Sequence, residues 1–386
     1  MQIYLDYSAT TPVRPEVLAR MTAVLKSAWG NPSSLHAWGQ RSALVLEQAR
    51  MQVADLIGAD PGALVFTAGG TEADNLALFG VAATFAQPGH LIVSAVEHAA
   101  VREPALVLER QGWRVTWLEV DRWGRVEPQA LEQAIAADTR LVSVIWGQSE
   151  VGTLQPIAEL SALCQERGIL FHTDAVQVAG RLPIDLRTLP VDLLSLSAHK
   201  LYGPQGAGAL YVRPGVAIAP LLRGGGQETG LRSGTQAVAA IAGFGEAAAL
   251  AARELEAEAA RLTALRDQLH SSLDALPGLA LTGDPLQRLP HHLSYTVRHP
   301  SGQPITGQQV VRALNLAGIG ISAGSACSSG RTVPSRVLRA MGYDECSALG
   351  AIRLSLGRHT HREDVEWVAM VLAQVLARLE PEPIRR

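Results

Sequence analysis

The chain predicts an α/β fold, an open sheet covered by helices, followed by a smaller α+β unit. Three observations carry that reading. Short apolar runs stand between helix-forming stretches. Polar residues fall at the C-terminal ends of those runs, where open α/β sheets bind ligands. The Ala/Glu/Leu-rich stretch 237–276 reads as one long helix, and from Pro277 the pattern shifts to short strands and helices. The long helix therefore carries the chain from one domain into the next.

Leu64 to Thr67 reads as a strand, Ala68-Gly69-Gly70-Thr71 as a small-residue turn, and Glu72 onward as a helix with Leu76 and Phe79 on one face. Such a turn leaves backbone N–H groups and the helix dipole pointed at an anion. It lacks the lysine of GxxxxGK, which argues against a nucleotide P-loop. Leu91 to Val93 is a second apolar strand, leading to Glu97 and His98. A histidine there can stack on a flat ring and move protons. Ile169 to Thr173 is a third strand, with Asp174 at its C-terminal end and His172 and Gln177 flanking it. Alone, Asp174 would serve as a helix N-cap.

DLLSLS (192–197) is a fourth apolar run and ends in Ser-Ala-His-Lys. Tyr202, Gly203, Pro204 and another apolar run follow, which reads as strand, tight polar turn, strand. Lys200 thus sits at a buried strand end beside Ser197 and His199. A buried ammonium is costly, so its pKa falls and the neutral amine becomes a nucleophile. That suits a Schiff-base lysine. Asp174 precedes Lys200 by 26 residues, room for one helix-and-strand excursion, so the two could face one cavity. Pyridoxal phosphate needs that pair: an amine for its aldehyde and a carboxylate for its pyridinium nitrogen.

Cys327 lies in GIGISAGSACSSGRTVPS (318–335), a loop of small residues with Arg331 nearby. An accessible thiol beside a cation favours thiolate. Cys164 falls in the amphipathic stretch IAELSALCQERG and reads as a buried, inert thiol; Cys346 falls in a polar turn. No CxxC or Cys/His cluster suggests a metal.

Composition bounds the rest. At 386 residues the chain has room for two domains and a large core. A net charge of −3 gives no reason to expect nucleic acid. The first residues show a strand pattern rather than a secretory signal, and no run approaches the ~20 apolar residues that span a bilayer. Three unpatterned cysteines suit a reducing compartment, so a cytoplasmic protein is expected.

The motifs together resemble the cysteine desulfurases of the NifS/IscS type, within the class V aminotransferase family of fold-type I pyridoxal-phosphate enzymes. They are YLDYSATTPV (4–13), GNPSSLH (30–36), FTAGGTEADNLA (66–77), EHAAV (97–101), HTDAVQ (172–177), SLSAHKLYGPQGAGALYV (195–212), GGGQETGLRSGT (224–235), SAGSACSS (322–329) and IRLSLGR (352–358). They span nearly the whole chain in the family's order. The loop around Cys327 is of the longer kind, as in the first group of these enzymes.

The resemblance implies a large domain, 13–256, with a mostly parallel sheet of about seven strands, and a small α+β domain made of 1–12 with 257–386. It implies that Lys200 binds the cofactor and later acts on the Cα proton, that Asp174 pairs with the ring nitrogen, and that His98 stacks on the ring as acid/base. Gln177 would contact the ring oxygen. Gly70, Thr71, Ser197 and His199 would bind the phosphate. Thr235 would reach the phosphate of a neighbouring subunit, which implies a homodimer with shared sites. Arg353 would fork the substrate carboxylate, Asn31 would lie near the substrate, and Cys327 would accept sulfur from L-cysteine. The product is L-alanine, and the sulfur goes to a protein acceptor such as an iron-sulfur scaffold.

The chain departs from the family's pattern in three places. WGQSEVG (146–152) carries Gln148 and Ser149 where asparagines are usual, Thr229 stands for a usual arginine, and the chain ends soon after its last helix, without the longer docking tail of some relatives. Other readings of the same residues are an aminotransferase, a cysteine or cystine C–S lyase, a selenocysteine lyase, or a non-catalytic sulfur-relay or regulatory protein. The segment around Cys327 favours the desulfurase over the lyases. The intact set Lys200, Asp174, His98, Cys327 and Arg353 argues against a non-catalytic relay.

Overall fold

Seven short strands lie side by side in the order Leu64–Thr67, Gly208–Val212, Leu193–Ser197, Leu170–Asp174, Thr139–Ser143, His90–Ser94 and Arg114–Leu118. Gly208–Val212 runs antiparallel to both of its neighbours, and the remaining pairings are parallel. The computed structural model that gives this arrangement describes residues 2–299, 305–324 and 333–379. Parallel strands are covered on both faces and so read as unbroken apolar runs. Successive side chains still point to opposite faces. Ile92, Phe171 and Leu194 join the larger apolar cluster, while Leu91, Val93 and Leu193 join the cluster on the other side.

The expected long helix is Val238–Asp274, 37 residues and about 55 Å from end to end. Its first half packs on helices Pro15–Ser27 and Ala37–Leu56 and gives Ile241, Phe244 and Ala248 to the larger cluster. Its second half gives Leu262, Leu269 and Leu273 to a separate cluster. That cluster covers an antiparallel sheet ordered Ser322–Ala323, Ala351–Ser355, His292–Val297, Leu279–Leu281. The start of the chain joins it: Ile3–Tyr4 pairs in parallel with Ile319–Gly320, and Ile3 and Leu5 are buried there.

Local departures from the sequence reading are small. The helix after the glycine turn starts at Gly70, not Glu72. Cys346 lies in a short helix, Glu345–Leu349, rather than in a turn, because the Asp344 carboxylate accepts from Ser347 N at 2.7 Å and caps it. Cys164 is buried in Ile157–Glu166, and burial pushes its thiol up to about 12.

One buried ion pair anchors the loop that follows Gly224. The Glu228 carboxylate accepts from Arg50 Nη1 at 2.9 Å, from Arg50 Nη2 at 3.0 Å and from Phe66 N at 2.9 Å. Glu228 and Thr229 both hold positive φ, 49° and 53°, a region costly for residues with a Cβ. Removing Glu228 strips the buried Arg50 of its buried counterion, leaving it the exposed Glu47 carboxylate at 3.1 Å and Leu64 O at 2.8 Å, and leaves Phe66 N without its acceptor; breaking such a buried pair costs about 3–5 kcal/mol. Glu228→Ala is expected to lower unfolding free energy by that amount in chemical denaturation. A loss below about 1 kcal/mol would show that water reaches Arg50 and relieves it.

Candidate active site

Lys200 closes a 3-10 turn, Ala198–Lys200, directly after the strand Leu193–Ser197. Its Nζ donates to the backbone carbonyls of Ser8 at 2.6 Å and Ala9 at 2.8 Å. Burial, then the nearby Arg353 and Arg181, pushes the amine down to about 8. Two residues on, Tyr202 holds φ 65°, a left-handed conformation that costs a bulky residue about 1–3 kcal/mol. Its N–H donates to Thr11 Oγ1 at 2.7 Å and its hydroxyl accepts from Arg358 N at 2.8 Å, which holds that backbone in place. The chain has two lysines, Lys26 and Lys200, and Lys26 is on the surface.

Asp174 ends the strand next to that of Lys200, with its Oδ1 accepting from Val176 N at 2.9 Å. Burial first, then the charge of Asp74, raises its pKa. His98 is the N-cap of helix Ala99–Arg110 and accepts from Ala100 N at 3.1 Å. One donor atom each of Asp74, His98 and Asp174 lies within 4.8 Å of the others. Gln177 Nε2 donates to Ser8 O at 2.9 Å, and its Oε1 is buried without a partner.

The glycine turn stands beside this group. A Cβ on Gly70 would lie 2.8 Å from Val176 Cγ2 and 3.5 Å from Ser197 Cβ. Gly70 therefore packs directly on the two strand ends that carry Asp174 and Lys200, and a side chain would fill that gap. Thr71 is exposed in the first turn of the helix. His199 Nδ1 is 3.1 Å from Thr10 Oγ1, and burial, then Lys200, pushes its imidazole down to about 4. It stays neutral at pH 7 and can donate or accept.

Arg353 enters from the second sheet. Its Nη2 donates to Asp6 Oδ1 at 2.6 Å and its Nη1 to Ser149 O at 3.0 Å, while Nε is buried without a partner. Gln148 does not substitute for an asparagine at the site. Its Nε2 donates to Val96 O at 3.1 Å and its Oε1 accepts from Val151 N at 3.0 Å, so its amide ties down its own turn. Asn31 and Thr235 are both exposed on loops, and Asn31 Oδ1 accepts from Ser33 N at 3.0 Å. Cys327 lies outside the described residues.

Sequence reasoning passed over four residues. Ser8 and Ala9 hold Lys200, and Asp6 is the counterion of Arg353; the motif YLDYSATTPV held all three without saying what they do. Asp74 sits on the buried side of its helix among Ala73, Leu76 and Ala77. An acid on an apolar helix face was the signal that pointed to it.

A flat cationic ring bearing an aldehyde and a phosphate fits what these groups offer. The buried Asp174 carboxylate can take the ring cation, Lys200 the aldehyde, and the Gly70 turn with Ser197 the phosphate. Gln177 Oε1 and Asp74 Oδ1 are buried without a hydrogen-bond partner among these groups.

The sequence profile of the family Aminotransferase class-V matches residues 3–368. The cysteine desulfurase IscS of Dictyoglomus turgidum is 43% identical over 380 residues, covering 98% of this chain and 95% of that protein. The cysteine desulfurase IscS of Methanosarcina thermophila is 44% identical over 378 residues, covering 98% and 92%. A solved NifS-like protein superposes with a TM-score of 0.91 at 38% identity, covering 98% of this chain and all of that one. The fold and site are thus those of a pyridoxal-phosphate-dependent enzyme of the class-V aminotransferase type. Within that class, the chain belongs to the cysteine desulfurase family.

The depressed Lys200 amine gives a direct test. In protein stripped of cofactor, acylation of Lys200 followed by peptide mapping should rise with pH to half its maximum near about 8. A free lysine side chain would do so near ~10.4. Labelling of Lys200 that follows the free-lysine curve would show that its burial does not favour the neutral amine.

Proposed function

We propose that this protein takes sulfur from L-cysteine, leaves L-alanine, and carries the sulfur on Cys327 before passing it on. The observation that carries this reading is that Arg353 and Asp174 both lie within electrostatic reach of the buried Lys200 amine, in a chain 43% identical to a cysteine desulfurase over nearly its full length. Bound there, pyridoxal phosphate supplies an electron sink that makes the Cα proton of an amino acid acidic.

The protein's own groups supply the rest. Arg353 takes the substrate carboxylate, its buried Nε being free for a second parallel hydrogen bond. The neutral Lys200 amine removes the Cα proton, and His98 shuttles protons on the ring's face. Gly70, Thr71, Ser197 and His199 hold the phosphate, Gln177 the ring oxygen, and Asn31 borders the substrate. The Cys327 thiolate attacks the substrate sulfur. A sulfur–sulfur bond forms, the carbon–sulfur bond breaks with its electron pair left on carbon, and that carbon takes a proton to become alanine's methyl group.

The same proposal includes a homodimer in which Thr235 completes the partner's phosphate site. Its support is a set of exposed apolar side chains on the first two helices and the loop between them, including Leu18, Leu25, Trp29, Leu35, Trp38 and Leu44, of which Leu35 is 90% exposed. A second copy seated on these elements would cover those side chains. The domain division, 13–256 against 1–12 with 257–386, is supported by the two separate apolar clusters. Delivery to a protein acceptor such as an iron-sulfur scaffold, in the cytoplasm, completes the reading. Among the described residues no helix is long and apolar enough to cross a membrane.

Mass spectrometry after incubation with L-cysteine tests the sulfur step. Extra sulfur should appear on Cys327 and vanish with dithiothreitol, as a reducible sulfane does. Cys327→Ala should keep its cofactor and lose most alanine formation, while Cys164→Ala and Cys346→Ala behave as wild type. Cys327→Ala turning over L-cysteine at the wild-type rate would replace this reading with a C–S lyase.

A further inference from the structure

Asp74 is a fully buried carboxyl group to which the mechanism above gives no part. It projects from helix Gly70–Ala82 toward the strand ends, within 4.8 Å of donor atoms of both Asp174 and His98. Among the described residues, its one contact at ion-pair distance is His172 Nε2, 3.5 Å from Asp74 Oδ1. That Oδ1 accepts no hydrogen bond. The titratable groups around the pair are His172 on the strand of Asp174, Glu97 and His98 beyond the strand His90–Ser94, and Lys200 within electrostatic reach of Asp174.

Two carboxylates this close in a dry site cannot both ionise without strong repulsion. The hydrogen bonds decide which one does. Asp174 Oδ1 receives the Val176 N–H, a group that can only donate and so favours the charged form, whereas the groups that reach Asp74, the Ser195 hydroxyl and the His172 ring nitrogen, can accept as well as donate. His172 Nδ1 lies 2.8 Å from Ser143 Oγ and can donate to it, which leaves Nε2 with a lone pair turned toward Asp74 and Ser195. Burial pushes that imidazole down to about 4, so it is neutral and accepts. A carboxylic acid O–H on Asp74 satisfies this arrangement, with the neighbouring Ser195 hydroxyl able to accept as well as donate.

We infer that Asp74 and Asp174 act as one carboxyl pair that shares a single proton held on Asp74, which makes Asp74 a positioning residue that keeps the site's negative charge on Asp174, opposite the cofactor's ring nitrogen. The inference deepens the pyridoxal-phosphate reading of the site and rests on it. Raising the pH strips the shared proton, places a second negative charge near the ring, and alters the cofactor's electronic state. Removing the proton holder removes that step.

The test is infrared difference spectroscopy on the cofactor-loaded protein, wild type against Asp74→Asn, together with a pH titration of the cofactor's visible absorbance. The expected result is loss of one carboxylic-acid band in the variant at neutral pH, with no loss of carboxylate bands, and loss of an alkaline step in the absorbance titration. Loss of carboxylate bands instead, or an alkaline step that persists unchanged in Asp74→Asn, overturns the inference. If the variant does not fold, wild-type protein carrying 13C-labelled aspartate gives the same answer. An isotope-shifted acid band must then be present at neutral pH and vanish at alkaline pH, since labelling leaves the buried Glu97 and Glu150 bands in place. No such band contradicts the inference. Wild-type protein that never takes up the cofactor overturns the pyridoxal-phosphate reading itself, a result distinct from either.

Discussion

Burial of charge at the C-terminal edge of the central sheet opposes folding, and the arrangement of the site follows from how that opposition is met. Asp174, Asp74 and Glu97 have carboxyl groups raised by burial, and the Lys200 amine is lowered by it. A carboxyl in such a place needs either a proton or a cation. Glu97 is held by Ser94 Oγ at 2.5 Å and Ile145 N at 2.6 Å. Asp174 is buried with one backbone donor, so a ring cation is the partner that suits it. The same dry surroundings that disfavour the free carboxylate make its pairing with a bound cation strong.

The first dozen residues turn this edge into a closed arrangement. Leu5 is buried in the cluster of the second sheet, and Asp6 holds Arg353 from that sheet. Ser8 O takes both Lys200 and Gln177 from the central-sheet side, while Ser8 N donates to Ser355 Oγ at 2.9 Å. Thr11 Oγ1 donates to His199 O at 2.9 Å and accepts from Tyr202 N. One extended segment therefore fixes both the Lys200 amine and the Arg353 guanidinium. A shift of that segment would move both groups together, and the geometry for proton transfer tolerates little displacement.

The strands that carry the site were legible because parallel strands buried on both faces are short, apolar and sharply bounded. LVFT, HLIVS, LFHTD and LLSLS all fell where the apolar runs put them, within a residue or so at each end. The long helix was legible from composition over its whole length. What the sequence withheld was tertiary. Nothing local says that the carbonyls of Ser8 and Ala9 hold Lys200, because that contact joins residues almost two hundred positions apart. The part played by Asp6 was hidden for the same reason, since its partner is Arg353. Gln148 was open to misreading because its amide could face the site or its own turn, and only the fold shows that it caps the turn.

The central claim is that the strand-end lysine holds pyridoxal phosphate opposite Asp174. Borohydride reduction of the purified protein, followed by peptide mapping, tests it most directly, because the chain offers two lysines for the label. The account predicts a pyridoxyl group on Lys200 and none on Lys26. Label on Lys26, or protein that binds the cofactor and carries no label at Lys200, would contradict it.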